Sequence, residues 1–170
     1  MKVLVVSDTH LRQGTLDRMP SEVWAMADGA DAVLHAGDVL DPAVLDAFAE
    51  RARLTAVLGN NDHGLERTLP EVAAIRLGGV EVAMIHDSGA TTGRAARMRR
   101  RFPQARIVVF GHSHDPQNDD DGDLLLFNPG SPTQRRRQPV HTVGWLELDA
   151  GQIRCAEIRE VGALATWRSS

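Results

Sequence analysis

The sequence predicts an α/β fold, built either as one mixed sheet or as two packed β-sheets flanked by helices. Three observations carry that expectation. Short apolar strand-like runs alternate with helix-like segments through the first two thirds, while the last third holds strands joined by turns alone. Of the 170 residues, 42% are hydrophobic, which is enough to bury one real core. No repeat, linker or low-complexity tract marks a boundary, so residues 1–160 are expected to form a single domain and 161–170 a loose C-terminal tail.

The elements follow in order. Lys2 to Ser7 reads as a buried strand, four apolar residues closed by polar Asp8. A helix is expected from Ser21 to Gly29, capped by Ser21, with Val23, Trp24 and Ala27 on one face. Ala32 to Ala36 is a second strand. Asp41-Pro42 opens another helix, the aspartate as cap and the proline in the first turn, with Val44, Leu45 and Phe48 as its buried stripe. Arg53 to Leu58 is the third strand. Gly78-Gly79 between Ala73–Leu77 and Val80–Ile85 signals a two-residue hairpin. Thr91 to Arg101 reads as a helix with its arginines mostly outward, and Arg106 to Phe110 as a strand. Leu124–Phe127, Val140–Leu148 and Gln152–Arg159 are short strands without intervening helices, which suggests an antiparallel second half.

Composition narrows the function. A net charge of −4 argues against a protein held on nucleic acid or anionic lipid by overall charge, and favours a small soluble substrate. Cys155 is the sole cysteine, so one chain offers no disulfide, cysteine zinc site or Fe–S cluster; its strand-like setting without a nearby histidine gives it no catalytic signature. The apolar run Val3 to Val6 is far too short for a signal peptide, and no stretch approaches a membrane span, so a cytoplasmic location is expected. Self-association into a homo-oligomer is left open.

Five apolar runs end directly in residues able to bind a metal. They lead into Ser7-Asp8-Thr9-His10, His35-Ala36-Gly37-Asp38, Gly59-Asn60-Asn61-Asp62, His86 and Gly111-His112-Ser113-His114. In open α/β sheets the ligand crevice lies beyond the carboxyl ends of the strands, where all five sets fall. Asp8 and His10, two apart on an extended segment, are expected to point to the same side, and His112 and His114 repeat that spacing. Carboxylate, amide and imidazole without thiolate suit Mn, Fe, Co, Ni or Zn. A pair of such ions roughly 3.5–4 Å apart can hold a bridging hydroxide as nucleophile and stabilise developing charge on phosphoryl oxygens. Glycines before Asp38, Asn60 and His112 let the chain leave each strand sharply.

Taken together, Asp8-Thr9-His10, Gly37-Asp38, Gly59-Asn60-Asn61-Asp62, His86, Gly111-His112-Ser113-His114 and Asn128-Pro129-Gly130-Ser131 resemble the calcineurin-like metallophosphoesterases, and in order and spacing their short bacterial and archaeal phosphodiesterase branch. The resemblance runs from Met1 to about Arg159. It implies a β-sandwich of two packed mixed sheets with helices outside, and two divalent transition-metal ions, manganese foremost. It further implies that Asp8, His10, Asp38 and His114 hold one ion while Asp38, Asn60, His86 and His112 hold the other, with Asp38 shared. Two positions depart from the pattern. Many members carry a leaving-group-protonating histidine where this chain has Asn61, with His63 the candidate replacement, and many read His-Gly-His where this chain has His86-Asp87-Ser88.

The remaining features weigh less. His35 is a candidate to hydrogen-bond a ligand from behind, and Asn128 to support the metal loops. His141 reads as a plain strand histidine. Asp119, Asp120, Asp121 and Asp123 lack the spacing of a calcium loop, and Asp121-Gly122 marks a solvated hairpin turn. Arg97 to Arg101 and Arg135 to Arg137 both read first as solvated helix or loop faces; binding of substrate phosphate by Arg135 to Arg137, soon after the Asn128-Pro129-Gly130-Ser131 loop, is the lesser reading. The expected function is hydrolysis of a phosphodiester. The alternatives are a phosphomonoesterase or nucleotidase, and a non-catalytic protein-binding scaffold of the same fold.

Overall fold

In the computed structural model, which describes residues 1–162, β1 (Lys2–Val6) is apolar at each position after Lys2 because both of its faces are covered. Val3 and Val5 point into a cluster shared between two sheets, while Leu4 and Val6 point the other way, toward helices. The same division repeats on every central strand. It produces four layers: α1 (Ser21–Asp28) and α2 (Pro42–Ala49) outside one sheet, two facing sheets, and α3 (Arg94–Arg101) outside the other.

The first sheet has the order β10-β9-β1-β2-β3, with β2 (Ala32–His35), β3 (Arg53–Ala56), β9 (His141–Asp149) and β10 (Gln152–Val161). The second has the order β4-β5-β6-β8-β7, with β4 (Val72–Leu77), β5 (Val80–Ile85), β6 (Ile107–Val109), β7 (Gln117–Asp120) and β8 (Leu125–Asn128). Strands β1, β2 and β3 run parallel, as do β5, β6 and β8. Each trio therefore delivers its carboxyl ends to one rim. Two packed mixed sheets flanked by helices is the architecture that the sequence predicts.

Local chemistry explains the elements that were legible. Asp41 caps α2 by accepting the Ala43 N–H at 3.0 Å, with Pro42 at the first helical position, a pairing worth about 1 kcal/mol. Val44 and Phe48 are fully buried under the first sheet. Burying a side chain such as Phe48 contributes about 1.5–3 kcal/mol. Gly78 and Gly79 both take positive φ, +54° and +84°, as a two-residue β-hairpin turn requires.

Four details differ from the sequence reading. Ser21 is the first helical residue of α1 rather than its cap, and Pro20 stands at the cap without a side-chain hydrogen bond. Helix α3 begins at Arg94 after a left-handed Gly93, and Arg94 and Arg97 are half-buried, donating to Gln117 and to the Ser88 and Ala90 carbonyls. Asp119 and Asp120 belong to β7, so only Asp121 to Leu124 make the turn. Strand β8 pairs parallel to β6, so the second half is not uniformly antiparallel. Of the predicted tail, Val161 still belongs to β10 and 163–170 lie outside the described residues. No helix among the described residues is long and apolar enough to cross a membrane.

Candidate metal centre

All seven sequence-predicted ligands gather at the rim where the parallel trios end. Asp8 and His10 follow β1, Asp38 follows β2 and Asn60 follows β3, all from the first sheet; His86 follows β5, and His112 and His114 follow β6, all from the second. The side chains form two touching groups. In the first, His114 Nε2 lies 3.3 Å and His10 Nε2 3.8 Å from Asp8 Oδ1, and the two ring nitrogens face each other at 3.2 Å. In the second, Asn60 Oδ1 lies 3.0 Å from His86 Nε2 and 2.8 Å from His112 Nδ1. Asp38 stands between them, with Oδ2 3.4 Å from His10 Nε2 and 3.5 Å from His86 Nε2.

Five of the seven take a left-handed backbone: Asp8, His10, Asp38, His112 and His114, with φ between +44° and +69°. The extended geometry expected for Asp8–His10 and His112–His114 is thus corrected. Alternate residues kink the loop so that His112 turns to the Asn60 group and His114 to the Asp8 group. Each such non-glycine residue costs about 1–2 kcal/mol, strain of the kind that clusters at functional sites. Of the three glycines expected to turn the chain off its strand, Gly37 alone has positive φ, at +93°. Gly59 and Gly111 are demanded by space instead. A Cβ at Gly59 would meet the Asp38 backbone nitrogen at 2.1 Å, and one at Gly111 the Ser7 hydroxyl at 1.9 Å.

Hydrogen bonds fix which ring nitrogens are free. His86 Nδ1 donates to the Ala36 carbonyl at 2.7 Å, and His114 Nδ1 donates to the Gln134 carbonyl, so in the neutral rings Nε2 faces the cluster with its lone pair. Asp8 Oδ1 is buried with no hydrogen-bond partner. An orphaned carboxylate oxygen beside two imidazole nitrogens, all within 4.8 Å, is a donor set that fits a divalent cation, as does the overlapping group Asp8, Asp38 and His86.

Electrostatics follow from burial. Desolvation pushes the Asp8 carboxyl up to about 6 and the His114 imidazole down to about 4, and lowers His10 as well. Burial also disfavours charge on Asp38, yet contact with His86 and donors from Asn61 hold it well below the carboxylate range. His86, although desolvated, is held above its ordinary value by Asp38 and Asp8.

The supporting residues fall as follows. His35, fully buried, accepts the Gly37 N–H on Nδ1 and so donates from Nε2 to the Thr9 hydroxyl at 3.1 Å, tying the loops after β1 and β2 together from behind. Asn128 donates to the Gly111 carbonyl and the Ser113 hydroxyl, both at 3.1 Å, and braces the His112–His114 loop. Asn61 donates from its backbone to Asp38 Oδ1 at 2.9 Å and from its amide to Oδ2 at 2.7 Å. His63 is exposed and shares no hydrogen bond with the seven among the described residues. Sequence reasoning missed Asp62. Its buried carboxylate accepts four backbone N–H groups, from Asp38, Val39, Leu40 and Gly59, at 2.6–2.9 Å. It also missed Ser131, whose hydroxyl donates to the Asp8 carbonyl at 2.8 Å.

Comparison with known proteins bears on the family and the fold. The model of the calcineurin-like phosphoesterase superfamily domain matches residues 1–151. A probable metallophosphoesterase of Methanocaldococcus jannaschii is 33% identical over 140 residues, which cover 80% of this chain and 70% of that relative. Among solved structures, a novel archaeal phosphodiesterase superposes with a TM-score of 0.71 at 20% identity, covering 94% of this chain and all of the other. Wild-type Vps29 of Entamoeba histolytica complexed with zinc gives 0.71 at 23%, covering 95% and 98%.

Proposed function

Because the chain belongs to the calcineurin-like phosphoesterase superfamily, we propose that it is a phosphodiesterase working through a dinuclear metal centre. The observation that carries this reading is the orphaned Asp8 oxygen facing the His10 and His114 nitrogens, next to a second donor group that shares Asp38. Asp8, His10, Asp38 and His114 would hold one ion, and Asp38, Asn60, His86 and His112 the other. Two divalent ions there, manganese foremost with iron, cobalt, nickel or zinc as alternatives, would supply an activated water and neutralise charge developing on the phosphoryl oxygens.

The chain's own residues set that geometry. Asn61 fixes the plane of the Asp38 carboxylate through two donors, so Oδ2 keeps its place between the two groups. His35, Asn128 and Ser131 immobilise the loops carrying Asp8, Asp38 and His112, which limits reorganisation during the reaction. Asn61 carries no titratable proton, so a leaving alkoxide receives little help from that position, and His63 is the nearest histidine in sequence.

The test is hydrolysis of bis(p-nitrophenyl) phosphate and p-nitrophenyl phosphate by manganese-loaded protein. The expected result is faster release from the diester, abolished by chelator. Preferential cleavage of the monoester would instead support a phosphomonoesterase, and no release from either above the chelator control would favour a protein-binding scaffold.

A further inference from the structure

Beside the metal centre, a cavity of about 440 Å³ is lined by His114, Asp115, Gln138 and the consecutive Arg135, Arg136 and Arg137. Its size is that of a small-ligand site, about 300–1,000 Å³. The loop that forms it is tied to the centre itself. The Gln134 carbonyl accepts from His114, the Gln134 N–H donates to Ser131 Oγ at 2.9 Å, and Arg136 Nη1 reaches the His112 carbonyl at 3.3 Å. Arg136, at the loop's tip, takes a left-handed backbone with φ +50°. Within the cavity Asp115 is the one carboxylate, and it accepts from the Gln138 side chain at 2.7 Å rather than from an arginine. Arg135 donates to the Gln138 carbonyl, and none of the three guanidiniums forms an ion pair among the described residues. Three cations thus face one carboxylate, in a chain whose net charge is −4.

We infer that this cavity is a second anion subsite, which binds a phosphate group of the substrate other than the one cleaved. Resting on the phosphodiesterase reading, this narrows the substrate class to diesters carrying a further phosphate, such as a 5′-phosphorylated dinucleotide. Guanidinium groups suit phosphate because their planar forks match its oxygens. A cavity wall shared with His114 places the second phosphate adjacent to the scissile one.

Two measurements test it. In metal-free, isotope-labelled protein with chelator present, inorganic phosphate is titrated while backbone amide shifts are followed. Saturable shifts at 135–138 that disappear in Arg135→Gln/Arg137→Gln are expected; their absence at tens of millimolar phosphate (roughly, for a weak single-anion site) would overturn the subsite whatever the enzyme does. In manganese-loaded wild type, kcat/KM for the 5′-phosphorylated dinucleotide should exceed that for the unphosphorylated one by about tenfold or more, and the ratio should fall toward one in the double variant and in high salt. A wild-type ratio near one, in protein that cleaves bis(p-nitrophenyl) phosphate, would overturn the substrate class. Failure to cleave any diester would sink the phosphodiesterase reading instead, while the amide shifts still decide the subsite.

Discussion

Replacing Asp62 with asparagine changes one oxygen into an amide nitrogen and little else in shape. Oδ1 of Asp62 accepts from Val39 and Leu40, and Oδ2 from Asp38 and Gly59. Whichever way the new amide turns, two backbone N–H groups then face a donor. An unsatisfied buried donor costs about 1–3 kcal/mol, so two cost about 2–6 before relaxation and about 2–4 after the half-buried end at Leu40 lets water in. For a chain of this size 1 kcal/mol moves the melting temperature by about 2–4 °C, so metal-free Asp62→Asn should melt roughly 4–16 °C below wild type. Urea unfolding of the metal-free protein checks the free energy directly. Metal affinity should fall as well, because the Asp38 N–H is one of the four. A midpoint within experimental error of wild type would refute the idea that this carboxylate pins the two loops together.

Asp38→Asn should lower metal occupancy and turnover more than any other single ligand change, since Asp38 touches both groups; elemental analysis with near-normal occupancy and rate would remove it from that role. Metal retention under a competing chelator should fall on acidification, and the ion nearest His86 should leave first, because the raised His86 proton affinity competes at higher pH than that of His10 or His114; simultaneous loss of both ions would contradict this order. In metal-free protein Asp8 contributes stability that is present in acid and lost as pH rises through about 6, whereas His114 contributes stability present above its ordinary value of 6.5 and lost as pH falls through about 4. The two slopes oppose each other, so Asp8→Asn should show stability rising more steeply than wild type between pH 4 and 6.5 in urea titrations (roughly the window set by the two shifts). A leaving-group series should give a steep dependence of diester hydrolysis on leaving-group pKa, flattened by Asn61→His; His63→Ala should slow alkyl diesters more than aryl ones if His63 is the donor, and a shallow wild-type slope that survives its loss would place the donor elsewhere.

Apolar continuity made β1, β2 and β5 legible, and Asp41-Pro42 did the same for α2. Strand β7 was not legible because Gln117 to Asp120 is an edge strand with exposed carboxylates and no apolar alternation. That omission has a geometric consequence. With β7 missing, one reversal is lost between β6 and β8, which makes an antiparallel pairing seem natural where the chain in fact returns parallel. At the site, residue types and their places after strands were readable, because strand ends converge by topology. The left-handed kinks at Asp8, His10, Asp38, His112 and His114 were not, since none of the five is a glycine and residue type alone does not demand that conformation. Nor was the role of Asp62, whose four donors belong to two separate loops, one after β2 and one after β3.

The division of the donors between the two sheets bears on how the molecule comes apart. Asp8 and His10 hang from one sheet and His114 from the other, so a cation gripping all three would act as a rivet across the seam. The two sheets cannot part without breaking its coordination, although edge strands such as β10 can still fray. Ligation at a hundredfold excess over the dissociation constant would add about 2.7 kcal/mol to every opening that parts the two sheets, global unfolding included. Hydrogen exchange would register it as slower opening of β1 and β6 together, with β10 unchanged. Loading the centre would therefore tie the opening of β1 to that of β6.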